Sequence, residues 1–326
     1  MTDSNPSSGL NLSRHMQMKA AIPDNATMAL EIHSNEVHTA PLASATVMLL
    51  RDSALGPEVL MMRRHGNSNV LGGVHVFPGG KLDGADGEVA EELFDQPLQH
   101  LLQALKQEDL DAKTAAALYI TALRETFEEC GLLLCDGVAP QVLLQARALL
   151  RDGQAFAAVL QQLGLPLQTR HLVPWSRWIT PRVPSVSHKR FDTRFFVAQA
   201  PQGQEALHDD NEATETVWLS PAQALRQYWD RQIELAPPQI LSLSQLARFD
   251  SVATVLTAAR NRPPALIEPS PFDQDGQRVI CYPGDPRHPV AERAWPGPTR
   301  LTFRNTRFEP EGGLAALLLP LIPGHR

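Results

Sequence analysis

Alternating apolar and polar positions predict a series of short strands separated by turns. The runs 43–50 and 58–64 favour two paired strands, because Gly56 and Pro57 between them are typical of a turn. Similar patterns predict strands at 74–77 and 132–135, one that ends near Val197, and short ones at 278–282 and 299–303. The acidic stretch 205–215 lacks such a pattern and predicts a loop.

Apolar residues at spacings of three and four predict helices between and after these strands. The predicted helices lie at 116–132, in two segments of 140–164, from Pro221 to Trp229, from Pro237 past Leu246, and near 251–260. Ser220 followed by Pro221 is typical of the N-cap and first position of a helix, which supports the helix from Pro221 to Trp229. After about Arg262 proline becomes frequent, and the helical pattern ends.

Three glutamates share one face of the helix predicted at 116–132. Glu125, Glu128 and Glu129 are separated by three and four positions, a spacing that brings side chains together. Like charges at these spacings destabilise a helix by roughly 0.2–0.5 kcal/mol per pair. A divalent cation removes the repulsion, because hard cations bind carboxylate oxygens. The other side of the helix is apolar and can pack on a sheet, and Gly131 is typical of a helix C-terminus.

Composition and charge argue against several classes of protein. The chain has 326 residues, of which 43% are hydrophobic, and this is sufficient for a core. Its net charge of −7 argues against nucleic-acid binding as the main role. The longest apolar run, 314–322, contains Pro320 and is too short to span a membrane. The three cysteines, Cys130, Cys135 and Cys281, form no zinc or disulfide pattern, so we expect them to be buried free thiols. Free thiols are typical of a reducing compartment, and we expect a cytoplasmic location. The sequence printed here does not end in a peroxisomal tripeptide.

The run RETFEECGL, residues 124–132, resembles the second half of the motif of the Nudix hydrolases. That pattern is REUxEExGU, where U is apolar, and Thr126 at the first U is a departure from it. The first half of the motif is a glycine followed six positions later by an acid. Gly80 and Asp86 match this spacing, although most of the family has glutamate at the second position. Here 37 residues, 87–123, separate the two halves, and such an interruption resembles the acyl-coenzyme A diphosphatase branch of the family.

This resemblance implies a fold, a metal and a reaction. The fold is the α/β/α sandwich of the Nudix hydrolases, in which a mixed sheet lies between helices. Glu125, Glu128 and Glu129 are expected to hold Mg²⁺ or Mn²⁺ close to a turn made by Gly79 and Gly80. The reaction is the hydrolysis of a pyrophosphate bond by water, with the cation and basic side chains stabilising the charge that develops.

The resemblance also implies roles for other charged residues near the helix. Arg124 is expected to pair with Asp86, which is one methylene shorter than the usual glutamate. Glu128 or Glu212 is expected to take the proton from the attacking water. Glu212 lies six positions before Trp218, where the family often has a further carboxylate, and Glu215 is the alternative.

Residues upstream of the glycines bear on the substrate. The signature of the coenzyme A branch is met at Leu60, Met61, Arg64 and Gly73, and it is not met at Met62, His65 and Asn69. With Gly79 and Gly80, Arg64 is an expected substrate-binding residue. His188, Lys189 and Arg190 form the densest basic run, which either binds the 3′-phosphate of coenzyme A or forms a solvated strand edge.

The implied substrate is therefore a small nucleotide-containing molecule, coenzyme A or acyl-coenzyme A. Hydrolysis of ADP-ribose or NADH is an alternative, and so is a non-catalytic module that senses a nucleotide. Trp175 and Trp178 are expected to pack in the core, and the other interpretation is that they stack a base or line an acyl channel.

The same patterns divide the chain into three parts. Residues 1–40 lack periodicity and are expected to form a mobile tail. Residues 41–260 are expected to form the Nudix domain, and 261–326 a proline-rich C-terminal appendage. Within the domain, the insertion 87–116 has leucines at helical spacing, which predicts a helical segment. It is either a surface elaboration or a lid that contributes to specificity.

Overall fold

The strands and helices follow one another largely as the hydrophobic pattern predicts. A computed structural model describes residues 32, 34–65, 71–186, 189–207 and 213–320. In these ranges the strands are β1 Leu42–Ser53, β2 Gly56–Arg64, β3 His75–Val76, β4 Gly79–Lys81, β5 Val173–Ile179, β6 Phe191–Gln199, β7 Ala213–Leu219, β8 Ala265–Ile267, β9 Ser270–Gln274, β10 Gln277–Cys281, β11 Arg300–Arg304 and β12 Arg307–Glu309. The α-helices are α1 Leu98–Leu105, α2 Ala112–Cys130, α3 Pro140–Arg151, α4 Phe156–Gln162, α5 Pro221–Trp229, α6 Pro237–Leu246, α7 Val252–Arg260 and α8 Gly313–Leu317.

A mixed sheet forms the centre of the fold. Among the described residues it has eight strands, in the order β3-β2-β1-β6-β5-β8, with β4 paired to β1 and β7 paired to β2. The central pair β1 and β6 is parallel and places Ser44 opposite Thr193. Strand β8 is parallel to β5, and the other pairs are antiparallel. The prediction of a mixed sheet is confirmed.

Helices cover both faces of this sheet, because side chains along β1 alternate between them. Val47 and Leu49 pack in one core with α2, α3, α4 and Phe196. Met48 and Leu50 pack in a second core with α5, α6, α7 and Val197. A strand that is buried on both sides reads as a continuous apolar run, and β1 does so. The α/β/α sandwich is therefore confirmed.

The insertion inside the motif is a packed helix. Its leucine spacing predicted a helical segment, and α1 confirms it. Leu101 and Leu105 are buried, 1% and 3% exposed, in the same core as α2. The insertion prediction ended at residue 116, but α2 already begins at Ala112, where Asp111 is the N-cap. Helix α1 thus packs one face on the core and exposes the other, and its role as a surface elaboration or a lid stays a prediction.

Two local predictions are wrong because hydrogen bonds form with distant parts of the chain. Residues 131–135 are not a strand. The side-chain amide of Gln204 instead accepts from the Leu133 N–H and donates to its carbonyl, both at 2.9 Å, and so replaces a neighbouring strand. Gly79 and Gly80, predicted as a turn, form β4 opposite Thr46 and Ala45.

The C-terminal segment packs closely on the rest of the fold. Strand β8 lies beyond residue 260 yet pairs with β5 in the main sheet. The Tyr228 hydroxyl donates to the Phe308 carbonyl at 3.0 Å and accepts from its N–H at 2.9 Å. A four-stranded sheet, β12-β11-β10-β9, completes this segment. The boundary after residue 260 remains a prediction, but the segment contributes to the second core.

Most of the predicted N-terminal tail lies outside the described residues. Residues 1–31 and 33 of the predicted tail are not among the described residues. Val37, within the tail as predicted, donates to the Arg182 carbonyl at 2.7 Å. Across the described ranges, no helix combines the length and apolar character that crossing a bilayer requires. The three cysteines are buried free thiols, as predicted.

Candidate active site

Helix α2 carries the three glutamates beside the sheet. Its N-cap Asp111 accepts from the Thr114 N–H at 2.9 Å, and this satisfies one of the free donors at the helix start. At the other end Gly131 has φ 65° and donates to the Phe127 carbonyl, a left-handed C-cap that glycine adopts without strain. The two caps fix the length of the helix and therefore the position of its acidic face.

A buried ion pair joins the two halves of the interrupted motif. Arg124 donates from Nε and Nη2 to the two carboxylate oxygens of Asp86, each at 2.9 Å. The Asp86 side chain is 2% exposed and also accepts from the Thr121 hydroxyl at 2.8 Å. It accepts from the Asp83 N–H at 3.0 Å as well, which caps a short 3-10 helix at Gly84–Gly87. The predicted pairing of Arg124 with Asp86 is confirmed, and the tight turn explains how the shorter aspartate reaches the arginine.

Arg124 also contacts the acidic face of its own helix. Its Nη1 donates to Glu125 at 2.8 Å and to Glu128 at 3.0 Å, and its Nη2 donates to the Lys81 carbonyl at 3.2 Å. Burial opposes the positive charge, but the hydrogen bonds to Asp86 and the surrounding carboxylates outweigh it and raise the pKa of Arg124. This guanidinium is therefore a permanent cation that holds the carboxylates in place.

The two glycines of β4 allow helix α2 to approach the sheet. The Gly79 N–H donates to the Glu129 carboxylate at 2.8 Å. A Cβ on Gly79 would overlap the Ala45 carbonyl oxygen and lie 2.6 Å from the Thr46 Cα. A Cβ on Gly80 would overlap the Glu125 carboxylate. A side chain at Gly79 would thus collide with the backbone of β1, and one at Gly80 would displace the carboxylate of Glu125.

The donor chemistry of this face suits a hard divalent cation. Glu125, Glu128 and Glu129 offer carboxylate oxygens, the ligands that Mg²⁺ and Mn²⁺ prefer. Their exposure differs, since the Glu125 side chain is 12% exposed, Glu128 40%, and the Glu129 residue 5%. Among the described residues, no group of three or more His, Cys, Asp or Glu side chains is arranged to hold a metal ion. The Glu125 and Glu129 carboxylates instead accept hydrogen bonds from Arg124 and from the Gly79 N–H. The metal ligands therefore stay a prediction.

A cavity of about 520 Å³ begins at these residues and extends along the sheet. Part of its lining, Trp178, Phe195, Ile280 and Tyr282, belongs to the second core, on the face of the sheet opposite α1. Six of the predicted site residues line it: Arg64, Gly79, Gly80, Glu125, Glu129 and Lys189. This arrangement places acidic and basic groups in the lining of a single cavity.

The other predicted site residues lie elsewhere. Arg190 donates to the carbonyls of Thr180 and Thr39, at 3.0 and 3.2 Å, and it does not line the cavity. The guanidinium of Arg190 thus holds backbone segments together, and its predicted contact with the substrate stays a prediction. Glu128 and Arg124 also lie outside the cavity wall. Glu215, predicted in a loop, is an exposed residue of β7 opposite Arg63.

Two predicted residues lie outside the described ranges. His188 and Glu212 fall in the gaps at 187–188 and 208–212. The carboxylate proposed to complete the site and the first residue of the basic run therefore remain predictions.

Part of the cavity wall was not expected from the sequence. Ile280 and Tyr282 line it, together with several prolines and with Trp178, for which a cavity-lining role was the alternative interpretation. Trp178 was expected in the core, and it does pack there, with its ring centroid 6.0 Å from that of Tyr282. Ile280 and Tyr282 lie more than 150 positions after Glu125, so only the frequent prolines of the C-terminal segment signalled a distinct role.

Comparisons with known proteins agree with the motif. A family profile described as the NUDT19 Nudix domain matches residues 24–246. The acyl-coenzyme A diphosphatase NUDT19 of Gallus gallus is 28% identical over 270 residues, which cover 68% of this chain and 70% of that protein. The Homo sapiens protein of the same name is 28% identical over 237 residues, 61% of this chain and 63% of that protein. The crystal structure of a NUDIX hydrolase from Alicyclobacillus acidocaldarius is similar with a TM-score of 0.53 and 28% identity, covering 70% of this chain and 99% of that one.

Proposed function

Because the chain belongs to the family of the NUDT19 Nudix domain, we propose that this Nudix hydrolase uses a divalent cation to cleave the pyrophosphate of coenzyme A or acyl-coenzyme A. Water adds to one phosphorus and the bridging P–O bond breaks, which gives 3′,5′-ADP and phosphopantetheine or its acyl form. The observation that carries the proposal is the ion pair between Arg124 and Asp86. It rejoins two halves of a motif that 37 residues, 87–123, separate, and it lies beside a cavity that Arg64 and Lys189 line.

The glutamates of α2 provide the metal site in this proposal. Glu125, Glu128 and Glu129 would hold Mg²⁺ or Mn²⁺, as Nudix hydrolases use divalent ions. When bound, such a cation neutralises charge on the diphosphate and makes water a better nucleophile. The chain itself orients these carboxylates, since Arg124 binds Glu125 and Glu128 and the Gly79 N–H binds Glu129.

Proton transfer requires a carboxylate that water can reach. Glu128 is the most exposed of the three glutamates, with 40% of its side chain accessible, and it can accept the proton of the attacking water. Glu212 is the second candidate for this role. The electrons of the broken P–O bond go to the leaving phosphate, whose charge Arg64 and Lys189 in the cavity wall would stabilise.

A wider Nudix activity is the alternative. Met62, His65 and Asn69 depart from the signature of the coenzyme A branch, which favours substrates such as ADP-ribose or NADH. A non-catalytic nucleotide sensor is less well supported, because Glu128 and Glu129 are both present. The buried free thiols support the proposed cytoplasmic location, and the net charge of −7 supports a small-molecule substrate over a nucleic acid.

A substrate panel tests the proposal. Purified protein with Mg²⁺ or Mn²⁺ is offered coenzyme A, dephospho-coenzyme A, ADP-ribose and NADH, and the products are separated by chromatography. We expect coenzyme A to have the highest kcat/KM and 3′,5′-ADP to be its nucleotide product. A higher kcat/KM for ADP-ribose or NADH would overturn the substrate assignment and leave only the Nudix class. Equal cleavage of dephospho-coenzyme A would show that the 3′-phosphate is not recognised through Lys189 and its neighbours.

A further inference from the structure

The cavity beside the glutamates has two chemically different ends. Gly80, Glu125 and Glu129 line it at β4 and helix α2. Pro271, Ile280 and Tyr282 line it from the C-terminal segment, and Trp178 lines it from β5. A molecule with a diphosphate at the first end therefore extends its remaining part towards an apolar wall.

The prolines of this wall favour an aliphatic chain over a nucleobase. Six prolines line the cavity: Pro181, Pro184, Pro237, Pro238, Pro269 and Pro271. Proline has no backbone N–H, so these positions offer no main-chain donor to the edge of a base. The centroid of the Trp178 ring lies 5.9–6.1 Å from the ring centroids of Phe195, Tyr282 and Trp295, so the ring already packs against other aromatic side chains in the core. A methylene chain needs neither donors nor a free ring face.

The wall is held firmly by polar contacts behind it. Asp285 accepts from Nε and Nη2 of Arg300, both at 2.8 Å, and this pair fixes the chain after β10. The Tyr282 N–H donates to the Thr299 carbonyl at 2.9 Å. Ile280 and Tyr282 are 5% and 3% exposed. The cavity therefore has a fixed depth on this side, and it can discriminate between acyl chains of different length.

The insertion cannot supply this wall. Leu101 and Leu105 of α1 pack in the core that contains α2, on the opposite face of the sheet. The C-terminal residues Ile280 and Tyr282 pack in the core on the cavity face. Among the described residues, none of the insertion 87–116 lines the cavity, whereas Pro271, Ile280 and Tyr282 of the C-terminal segment do.

We infer that the C-terminal segment 265–282 forms the binding site for the acyl chain and sets the chain-length preference, an inference that rests on the proposed hydrolysis of acyl-coenzyme A. Each methylene buried against this wall is expected to raise kcat/KM by up to about fourfold. The gain ends abruptly at the chain length that fills the cavity, because a packed wall does not stretch.

Two alanine variants on one strand test the inference. Ile280 and Val279 are neighbours in β10 with similar exposure, 5% and 4%, but of these two residues Ile280 lines the cavity and Val279 does not. For wild type, Ile280→Ala and Val279→Ala, kcat/KM is measured with Mg²⁺ on coenzyme A and on acyl-coenzyme A esters from acetyl to palmitoyl. Each acyl value is divided by the coenzyme A value of the same preparation, which removes differences in the folded fraction.

We expect Ile280→Ala to move the preferred chain towards longer acyl groups by roughly two to three carbons, the size of the part removed. Val279→Ala is expected to keep the wild-type profile. An unshifted profile in Ile280→Ala, or the same shift in both variants, overturns the inference alone. Failure of wild type to cleave coenzyme A and its esters, with ADP-ribose cleaved, overturns the proposed function and the inference together.

Discussion

Replacing Arg124 with methionine is expected to destabilise the fold far more than removing an exposed ion pair. The side chain of Arg124 is 13% exposed and that of Asp86 is 2% exposed, so Arg124→Met leaves a carboxylate buried without its cation. Removing one partner of a buried ion pair costs about 3–5 kcal/mol. That is a large part of the roughly 5–15 kcal/mol by which most proteins are stable. Glu125 and Glu128 would also lose the positive charge between them.

Urea unfolding measures this cost against a matched control. With a slope near 3 kcal/mol per molar urea, Arg124→Met is expected to lower the midpoint by more than about 1 M. Arg51 also pairs with a glutamate, Glu58, at 2.8 Å, but the Arg51 side chain is 48% exposed. Arg51→Met is expected to cost at most about 2 kcal/mol, from an exposed ion pair and a contact with the Trp218 ring.

A double variant separates the ion pair from simple loss of packing. In Asp86→Leu combined with Arg124→Met no charge is left unpaired between these two positions, so the cost is expected to be smaller than the sum of the single costs. Equal costs for Arg124→Met and Arg51→Met would refute the reasoning. A double variant whose cost equals the sum would show that the two side chains do not depend on each other.

Three further outcomes are expected. Glu128→Gln and Glu129→Gln each lower kcat by at least about 100-fold while circular dichroism stays unchanged, and near wild-type turnover in either contradicts the metal assignment. Burial, together with the charge of Arg63, lowers the pKa of His75 to about 4, so the unfolded chain takes up a proton first as the pH falls below 6.5. The free energy of unfolding should therefore fall by about 2 kcal/mol more between pH 7 and pH 5 in wild type than in His75→Gln, and equal pH slopes would contradict this. Leu105→Ala, in the insertion, should cost about 2–5 kcal/mol in urea unfolding, against about 0.5 or less for the exposed Leu144→Ala, and similar costs would show that α1 is not part of the core.

Elements that depend on local pattern were predictable from the sequence. Helix α5 has its N-cap at Ser220, as predicted, because the side chain that accepts from the Gln223 N–H is adjacent in sequence. The apolar residues 132–135 instead resembled a strand, since burial alone produces such a run. Their partner is Gln204, 71 positions after Leu133, and no local pattern reveals a side chain that replaces a strand.

The candidate site divides in the same way. The pair of Arg124 with Asp86 was predictable because both residues belong to a known motif, although they are 38 positions apart in the sequence. The wall at Ile280 was not, because prolines and short strands indicate turns and edges without revealing what they enclose. Arg190 looked like a phosphate-binding residue in a basic run, but its guanidinium binds the Thr180 and Thr39 carbonyls. Charge in a sequence does not show which way a side chain points.

The parallel pairing of β1 with β6 also determines when the protein can fold during synthesis. Ser44 meets Thr193 across 149 positions, and pairs of such separation form slowly because a long loop must close first. Until β6 leaves the ribosome, β1 has one unpaired edge, and Met48 also lacks its core partners in α5, α6 and α7, which follow β6 in the chain. A nascent chain that ends before Gln199 is therefore a candidate for aggregation or chaperone binding, although it already contains the whole of helix α2.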